Sequence, residues 1–465
     1  MLRLKSKLVF CLFVLLATSA VSNAADLESL LATSNDHNSE NIGISLEDFF
    51  IAALEFSLDL KIAKEELNAS SARKRIAIAQ LMPQINANAE PSNNRSDSGD
   101  GPEIYGGKRY SAQLSQILFN WPAFAARNQA YLIEDQLEAE YYGALSRLLA
   151  DVASRYFDVL LAEDSLTSME TELVAVTSQL SQIQSLFALQ LAQITDLYKA
   201  QAALAAVEVQ QNQLEVELAV KEGALRAISG LNVGSLNSLS ATANITELSE
   251  DVEQWVEQAL VENHTIRSLE FALSAAETEI SERRGAYMPS ASLILQQQES
   301  NTGFNNSLNP NNATNNNRDR ALNVNIPLYA GGSNKAMVSE ASSQRNIVEN
   351  ELFQAQNEVS GLVRTTYQQV KIGKVRTEAA QKLVDSTTLS TVAMQRGFEL
   401  SAVTNVDVLN AIQSQSQAKR DLLQVRYEHV MNLIFLYRDS GRLTAEELLE
   451  IDSWLITLSD ERISQ

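Results

Sequence analysis

The sequence predicts an α+β membrane protein that contains two internal structural repeats. All seven prolines lie in two windows, Pro83–Pro122 and Pro289–Pro327, so the rest of the chain is free to form very long helices. Inside the two windows apolar and polar residues alternate with a period of two, which is the pattern of a strand with one apolar face. The same short motifs recur along the chain at a nearly constant spacing, which indicates duplication of one unit.

The start of the chain has the pattern of an exported protein. Three basic residues come first, an apolar run covers residues 8–17, and small residues at 22–24 suit a signal peptidase. Residues 1–24 are therefore predicted to be a secretory signal peptide, because a membrane-spanning helix needs about 20 apolar residues. Cys11, the one cysteine, lies inside this peptide, and residues 25–44 form an N-terminal segment of unassigned role.

Charge and hydropathy limit the partners of the chain. The formal charge of −22 becomes −25 when a signal peptide with three positive and no negative residues is removed. A protein this acidic is not expected to bind nucleic acid or an anionic lipid surface. No later stretch is long and apolar enough to span a bilayer as a helix, so entry into a membrane would require strands in a closed barrel.

The first repeat is predicted to cover residues 45–230. It opens with a helix, which is followed by strands at 84–90 and 109–118 and by a turn-rich loop between them. A long helix rich in Ala, Leu, Gln and Glu comes next. A turn near 189–193 separates this long helix from the last helix of the repeat.

A connector at 231–249 leads to the second repeat, predicted at 250–441 with the same order of elements. The asparagine-rich segment between its strands is expected to be a solvated loop. Residues 442–465 form a C-terminal segment. The predicted strands lie at 290–298 and 321–328, and the predicted turn lies near 400–403.

Three pairs of motifs mark the repeat. Met82-Pro83 recurs as Met288-Pro289, Asp196 as Asp407, and Ser229-Gly230 as Ser440-Gly441. The two long helices would each span roughly 100 Å and each shorter helix about 55 Å at 1.5 Å per residue. Two short helices end to end therefore match one long helix, so the helices can form a wall of even height with coiled-coil-like seams.

These features resemble the TolC family of outer-membrane efflux and secretion channels. The resemblance extends from about Ser45 to Leu448, and the paired order of its motifs is more specific than any single motif. The motifs are Ala79-Gln80-Leu81-Met82-Pro83, Gln116-Ile117-Leu118-Phe119, Tyr156-Phe157-Asp158-Val159-Leu160, Ile326-Pro327-Leu328-Tyr329-Ala330-Gly331-Gly332, and Val406-Asp407-Val408-Leu409 with Ala411.

The resemblance implies a homotrimer in the outer membrane, projecting into the periplasm. Each subunit would give four strands to one twelve-stranded β-barrel, continued into a long α-helical periplasmic barrel, with the C-terminal segment also in the periplasm. The implied function is a passive exit channel that a periplasmic adaptor and an inner-membrane transporter complete. The strand pattern itself supports an oligomer, because four strands in lipid leave two open edges that only oligomerisation can close.

Other classes of protein are less compatible with the sequence. Catalysis would need a cluster of groups with defined roles, yet His37, His264 and His429 are isolated and neither a phosphate-binding loop nor a zinc motif is present. We therefore predict no enzyme, no cofactor and no metal site. The alternative is a periplasmic adaptor or coiled-coil scaffold. An adaptor is expected to have one helical hairpin and an inner-membrane anchor, whereas this chain has two hairpins and two strand pairs.

The resemblance places Asp196 and Asp407 at the periplasmic entrance of the channel. Six carboxylates in a trimer would favour cations there. A local role is the alternative for Asp407, because Thr404-x-x-Asp407 resembles a capping box that satisfies a helix N-terminus. Gln193 replaces the threonine before Asp196, so capping does not explain the first aspartate.

The two turns depart from the pattern of the family. Its usual Val-Gly pair falls on Leu189-Gln190 and Leu400-Ser401, and a second aspartate ring falls on Asn410. The tyrosine and arginine that lock the closed entrance in the best-known members fall on Phe398 and Val403. A weaker lock and a different adaptor contact are therefore expected, while the channel architecture is unaffected.

Three aromatic residues follow the second strands of the two repeats, two in the first repeat and one in the second. Phe119, Trp121 and Tyr329 lie where the chain should leave the membrane, so they suit an aromatic girdle in contact with outer-membrane lipid. Ordinary packing at the junction between strand and helix is the alternative for each of them. The cargo is left open between small toxic compounds in tripartite efflux and an unfolded polypeptide in type I secretion.

Overall fold

A computed structural model describes residues 44–98, 101–240, 248, 251–301 and 314–456. The predicted signal peptide, residues 25–43 and the end of the C-terminal segment lie outside these residues. The first half contains α1 (Leu46–Phe56), α2 (Leu58–Gln80), β1 (Gln84–Ser98), β2 (Gly101–Phe119), α3 (Trp121–Ala188), α4 (Ile194–Ser229) and β3 (Ser238–Leu239). The second half contains α5 (Val252–Glu262), α6 (His264–Gly285), β4 (Ser290–Asn301), β5 (Asn315–Asn325), α7 (Ser333–Glu399), α8 (Asn405–Ser440), α9 (Ala445–Asp452) and β6 (Leu455–Ile456).

The two repeats match closely in the lengths of their helices. The long helices α3 and α7 have 68 and 67 residues, and the helices after the tips, α4 and α8, both have 36. Each of these shorter helices ends at a glycine in the left-handed region, with φ 74° at Gly230 and 79° at Gly441. The repeated Ser-Gly motif is therefore a helix stop, because glycine adopts this conformation without strain.

The single opening helix predicted for each repeat is wrong, since each is broken into two. Ser57 ends α1 and caps α2, with its Oγ accepting from the Leu60 N–H at 3.3 Å. Asn263 does the same between α5 and α6, where its Oδ1 accepts from the Thr265 N–H at 2.9 Å. Short polar side chains compete with the helix for backbone hydrogen bonds, which interrupts an otherwise helical stretch.

The main sheet has four antiparallel strands in the order β1-β2-β4-β5. The predicted strand bounds are too short for the first hairpin, which pairs as far as Ser98 with Gly101. Pro91, which falls in the predicted loop, lies within β1 opposite Lys108. It is tolerated because β1 is an edge strand, where a missing N–H need not break the ladder.

The second strand pair also differs from the prediction. Strand β4 continues to Asn301, and β5 runs over Asn315–Asn325 rather than 321–328. The asparagine-rich segment therefore supplies part of β5, because ladder bonds use backbone groups and do not need alternating side chains. The strand stops before Pro327, which has no N–H to donate.

The strand register separates an apolar face from a polar face. Ile85 pairs with Leu114, and Leu114 pairs with Leu295, so these side chains form one row across three strands. One residue along, Asn86, Gln113 and Gln296 form a row on the opposite face. Paired residues project from the same side of a sheet, so the period of two seen in the sequence gives a mainly apolar and a mainly polar surface, with Arg320 opposite Leu295 as an exception on the apolar side.

The helices pack side by side beneath the sheet. Near the strands α3 lies between α2 and α6, and α7 lies against α6. Towards the tips α3 lies between α4 and α8, and α7 lies against α8. Thus α2 and α4 lie at one lateral edge of the protomer, below β1, whereas α7 lies at the other edge, below β5.

Tyr156 is the centre of the largest apolar core. Its ring is fully buried and packs edge-on against Phe49, with centroids 5.7 Å apart. Its hydroxyl accepts from the Asn237 N–H at 3.1 Å, which ties the connector to α3. Asp158 of the same motif points outward to Lys221 of α4, with Oδ2 and Nζ 2.9 Å apart. The Tyr-Phe-Asp-Val-Leu motif therefore packs α1, α3 and α4 together.

The sheet is anchored to the helices by glutamine side chains. Gln116 donates from Nε2 to the backbone oxygen of Leu81 at 2.9 Å, and Gln84 donates to the backbone oxygen of Ala79 at 2.8 Å. These bonds satisfy carbonyl groups at the end of α2 that have no partner within the helix. Within the described ranges, no helix combines the length and apolar character that crossing a membrane requires.

Candidate functional site

The two tips, Leu189–Gln193 and Leu400–Thr404, have the same backbone geometry. In the first, the N–H of Gln190 donates to the oxygen of Phe187 at 2.9 Å and that of Leu191 to Leu186 at 2.8 Å. The second repeats both bonds, from Ser401 to Phe398 and from Ala402 to Gly397. This pair of bonds is the Schellman motif, which satisfies carbonyl groups at a helix C-terminus.

The left-handed position of this motif carries a side chain in both tips. Gln190 has φ 61° and Ser401 has φ 56°. These positions correspond to the glycine of the family pattern. The departure noted in the sequence therefore leaves the turn intact but places a Cβ where glycine is favoured, at a conformational cost of about 1–3 kcal/mol for a non-glycine residue.

Asp196 lies in the first turn of α4 and is half-buried. The side chain of Gln193 makes no capping hydrogen bond, and its Oε1 instead accepts from Thr195 Oγ1 at 3.3 Å. The carboxylate of Asp196 therefore takes no part in a capping box. Its negative charge still lies at the positive end of the α4 dipole, where a carboxylate is favoured.

Asp407 occupies the matching position on α8. Its carboxylate forms the capping box with Thr404 that the sequence offered as the alternative to a role in the pore. Oδ2 accepts from the Thr404 N–H at 2.9 Å and from Thr404 Oγ1 at 2.7 Å. The hydroxyl hydrogen bond, followed by the backbone one, holds the pKa of Asp407 below its usual value. The residue is exposed, so a capped carboxylate at this position still presents its charge to solvent.

The side chains of Phe398 and Val403 are half-buried at the tip. Both pack against an apolar cluster, called the tip cluster here, which joins α3, α4 and α8. Val403 also lies close to Gly397, where an added Cβ would come within 3.2 Å of its Cγ2. Asn410 is exposed on α8, one turn beyond Asp407. The buried members of the tip cluster are Met169, Val176, Leu180, Ala200, Val207, Val408, Leu409 and Ile412.

Two further polar residues connect the tips, and the sequence interpretation missed them. Gln179 of α3 donates from Nε2 to Oδ1 of Asn405 at 2.9 Å, and both side chains are buried. The Nδ2 of Asn405 in turn lies 3.4 Å from the backbone oxygen of Asp196. The repeat held the signal, because the equivalent of Asn405 in the first repeat is Ile194. The capping box of Thr404 and Asp407 does not need a polar residue at position 405, so the asparagine there indicates another contact.

An ion pair links α3 and α8 farther from the tips. Arg420 and Glu172 are 2.9 Å apart, and the carboxylate is buried. Arg420 also donates to Ser416 Oγ at 2.6 Å. The second hairpin is thus held to the first by polar contacts on both sides of the tip cluster.

The three aromatic residues predicted for a girdle lie in different surroundings. Phe119 ends β2 and packs against Phe124, with centroids 6.3 Å apart. Trp121 begins α3 and donates from Nε1 to Ser281 Oγ at 3.2 Å. Tyr329 is 88% exposed in the connection between β5 and α7. The packing alternative therefore has support at Phe119 and Trp121, while Tyr329 is available for contact with lipid.

Within residues 44–456, less the gaps named above, no group of three His, Cys, Asp or Glu side chains is arranged to hold a metal ion. Asp196 and Asp407 are carboxylates at the starts of α4 and α8. The chemistry available at the tips is therefore electrostatic attraction and exclusion.

Comparison with known proteins identifies the family. The profile of the family "Outer membrane efflux protein" matches residues 51–231 and 255–442. The chain is 27% identical over 379 residues to "Outer membrane protein TolC" of Vibrio cholerae serotype O1, covering 81% of this chain and 85% of that protein. It is 24% identical over 402 residues to "Alkaline protease secretion protein AprF" of Pseudomonas aeruginosa, covering 83% and 82%.

Among solved structures, a CusC crystal structure superposes with a TM-score of 0.77. The sequence identity is 19%, and the superposition covers 88% of this chain and 95% of CusC. At this identity the similarity concerns the fold alone. Because the matched residues include most of both repeats, the chain belongs to the outer membrane efflux protein family, which confirms the TolC-type resemblance and the predicted location in the outer membrane, projecting into the periplasm.

Proposed function

We propose that this protein is a passive exit channel of the outer membrane, assembled as a homotrimer. Three four-stranded sheets would close into one twelve-stranded barrel, and the helices would continue it as a tunnel through the periplasm. The observation that carries the proposal is the pair of lateral edges of the protomer. Strands β1 and β5 are both unpaired on their outer sides among the described residues, and an open strand edge is not tolerated in lipid.

The helices below each open strand edge support the same assembly. Under β1, α4 exposes Val209, Val216 and Val220, each more than half exposed. Under β5, α7 exposes a second set of apolar side chains. A head-to-tail contact between unlike edges closes into a ring, so one protomer's α4 would cover the next protomer's α7. The set on the tip half of α7, at the level of α4, consists of Ile372, Val375, Leu383 and Leu389.

The entrance of the channel is proposed to lie at the tips. Asp196 and Asp407 would give six carboxylates to this end of a trimer and favour cations. Phe398 has no hydroxyl and Val403 no charge, so the entrance would lack the lock that the family resemblance implies at these positions. Asn410 would replace the second aspartate ring, and Phe119, Trp121 and Tyr329 are proposed to form the girdle at the inner surface of the membrane.

The proposed partners are a periplasmic adaptor and an inner-membrane transporter, since the channel itself has no source of energy. Family membership favours a channel over an enzyme, and the two hairpins of the chain do not fit an adaptor or scaffold. AprF is described as a protease secretion protein and CusC as part of a cation efflux system, so relatives serve both kinds of cargo. A strain that lacks this protein distinguishes the two kinds of cargo. Greater sensitivity to toxic compounds would indicate efflux of small molecules, and loss of a secreted polypeptide would indicate type I secretion.

The assembly is tested on the purified mature protein by native mass spectrometry and by conductance in planar lipid bilayers. We expect three chains per particle and discrete channels. Val216→Asp with Val220→Asp should reduce the trimer fraction, because four-residue spacing places both charges on the exposed stripe of α4. Gln210→Asp adds a charge to an exposed polar position about 100° around the same helix from Val209, away from this stripe, and should assemble normally. A monomer without conductance would refute the channel.

A further inference from the structure

A cavity of about 490 Å³ lies between α1, α3, the start of α6 and the segment that follows α8. Its volume is in the range of sites that hold one small molecule. The lining is mainly apolar, and Ile51 and Leu54 at its border are 47% and 40% exposed, which leaves a route to solvent. The principal apolar lining residues are Phe50, Ile51, Leu54, Tyr142, Leu145 and Leu149.

Two polar atoms in this lining have no partner among the described residues. Ser146 is 5% exposed, and its Oγ makes no hydrogen bond. His264, which also lines the cavity, has a buried Nδ1 without a partner. Buried polar groups in folded proteins are almost always hydrogen-bonded, so an unpartnered hydroxyl and an unpartnered imidazole nitrogen in the lining of one cavity indicate a missing ligand or water.

The chemistry of the two atoms limits what can bind. Burial, and then the nearby charge of Arg267, lower the pKa of His264, so its imidazole is neutral at neutral pH. A neutral imidazole nitrogen either donates or accepts, and the serine hydroxyl can do both. The ring of His264 is fixed by stacking on Tyr142, with centroids 6.1 Å apart. Glu47 at the border disfavours an anionic ligand.

We propose that this cavity binds a neutral, largely aromatic or aliphatic molecule with one hydroxyl group, which hydrogen-bonds to Ser146 Oγ and His264 Nδ1. The apolar body would fill the space beside Phe50, Leu145 and Leu149, and the hydroxyl would both donate and accept. Such a site goes beyond the proposed conduit, because it lies where α1 meets α3 rather than at the tips.

The test uses ¹⁹F NMR with the purified mature protein in lipid nanodiscs and two probes, 4′-fluorobiphenyl-4-ol and 4-fluorobiphenyl. Empty nanodiscs give the lipid background for both. We expect saturable binding of the hydroxyl probe. Ser146→Ala should weaken that probe about 3- to 10-fold, the usual effect of losing one neutral hydrogen bond, and leave 4-fluorobiphenyl within about twofold. Ser178→Ala, at an exposed serine of the same helix, should change neither.

A second variant tests the cavity itself. Leu54→Trp changes a partly exposed border residue and should abolish binding of both probes by filling the space. Ser146→Cys, which keeps a weak donor, replaces Ser146→Ala if the alanine variant does not fold. Absence of saturable binding, unchanged binding in Leu54→Trp, or equal losses of both probes in Ser146→Ala would overturn the proposal. Each result is independent of whether the protein conducts ions.

Discussion

Gln179 and Asn405 form a buried hydrogen bond between the two halves of the chain, with Nε2 and Oδ1 2.9 Å apart. Gln179 lies about two and a half turns before the end of α3, whereas Asn405 is the first residue of α8. Because Asn405 also reaches the backbone oxygen of Asp196 at 3.4 Å, one side chain contacts both helices of the first hairpin. The two tips are therefore coupled within a protomer before any trimer contact is considered.

Asn405→Ala should loosen both tips. The change leaves the amide of Gln179 buried without an acceptor, which costs about 1–3 kcal/mol. Amide hydrogen exchange of the purified protein should accelerate over 186–197 and 397–408 and remain unchanged in the central core. A matched double variant, Gln179→Met with Asn405→Leu, removes both polar partners and should recover much of the protection. Equal exchange in the parent and Asn405→Ala would show that this bond carries no stability.

Glycine at the left-handed positions should stabilise the tips. Gln190→Gly and Ser401→Gly remove a Cβ from residues with φ 61° and 56°, and we expect a gain of about 0.5–1 kcal/mol for each. The measurement is the free energy of local opening from hydrogen exchange at Leu191 and Ala402. Leu189→Gly is the control, because Leu189 has φ −86° and gains nothing from glycine. Faster exchange in both glycine variants would contradict a strained turn.

The existence of the tips was predictable from the sequence, but their internal contacts were not. Helical periodicity and the repeat placed turns near 189–193 and 400–403, because both signals are local. The bond between Gln179 and Asn405 joins residues distant in sequence, and no local pattern encodes such a pair. Likewise, a phenylalanine and a valine at a tip could line a pore or pack in a core, and only the fold shows that Phe398 and Val403 pack against the tip cluster.

The two faces of the sheet should respond differently to charge. Leu114 lies between Ile85 and Leu295 on the apolar face, so Leu114→Arg should cost about 2–4 kcal/mol in a membrane. Gln113→Arg, one residue earlier on the same strand, places the same charge on the polar face and should be tolerated. The amount of heat-resistant trimer in the outer-membrane fraction measures the difference. Similar yields of both variants would mean that the apolar face does not contact lipid.

Strand faces followed from the sequence more reliably than strand ends. The period of two is a property of side chains, and it held for Ile85 and Leu114 on the apolar face. Strand length depends on backbone pairing, which continues through polar residues such as those of β1 beyond Glu90. Pro91 falls in the predicted loop but lies within β1, because the effect of proline depends on whether its strand is central or at an edge.

Glu163 should make the protein less stable as pH rises. Burial raises its pKa to about 7, with further contributions from Asp164 and Glu222. Its unfolded pKa is about 4.3. Between these values the folded state holds a proton that the unfolded state has lost, so the contribution of Glu163 to stability is fully present below pH 4 and is lost as pH rises through about 7.

Glu163→Gln should therefore raise the melting temperature at pH 8 and change it little at pH 4.5. The gain at pH 8 corresponds to up to about 3 kcal/mol per protomer, because one unit of pKa is worth about 1.4 kcal/mol. Glu170→Gln, at an exposed glutamate of the same helix, should shift the melting temperature little at either pH. A parallel pH dependence in parent and Glu163→Gln would exclude this carboxyl as the cause.

The two aspartates of the proposed entrance lie in different surroundings, since Asp407 is part of a capping box and Asp196 is not. Asp196→Asn together with Asp407→Asn should reduce cation selectivity in single-channel recordings and weaken block by multivalent cations, because six carboxylates would leave one constriction. Asp407→Glu keeps the charge and, as glutamate is the usual residue at this position of a capping box, should keep the cap. Unchanged selectivity in the double variant would show that both residues only stabilise the starts of their helices and have no role in the pore.

Acidification then separates the contributions of the two aspartates. Hydrogen bonds from Thr404 hold the pKa of Asp407 below its usual value, so this carboxylate stays charged to lower pH than an ordinary one. In Asp196→Asn, cation selectivity depends on Asp407 alone. This selectivity should persist to lower pH than in the double variant Asp196→Asn with Thr404→Val, in which the hydroxyl hydrogen bond to Asp407 is lost. Valine keeps the shape of threonine without its hydroxyl. If both variants lose selectivity at the same pH, the capping bond does not govern the charge that the pore presents.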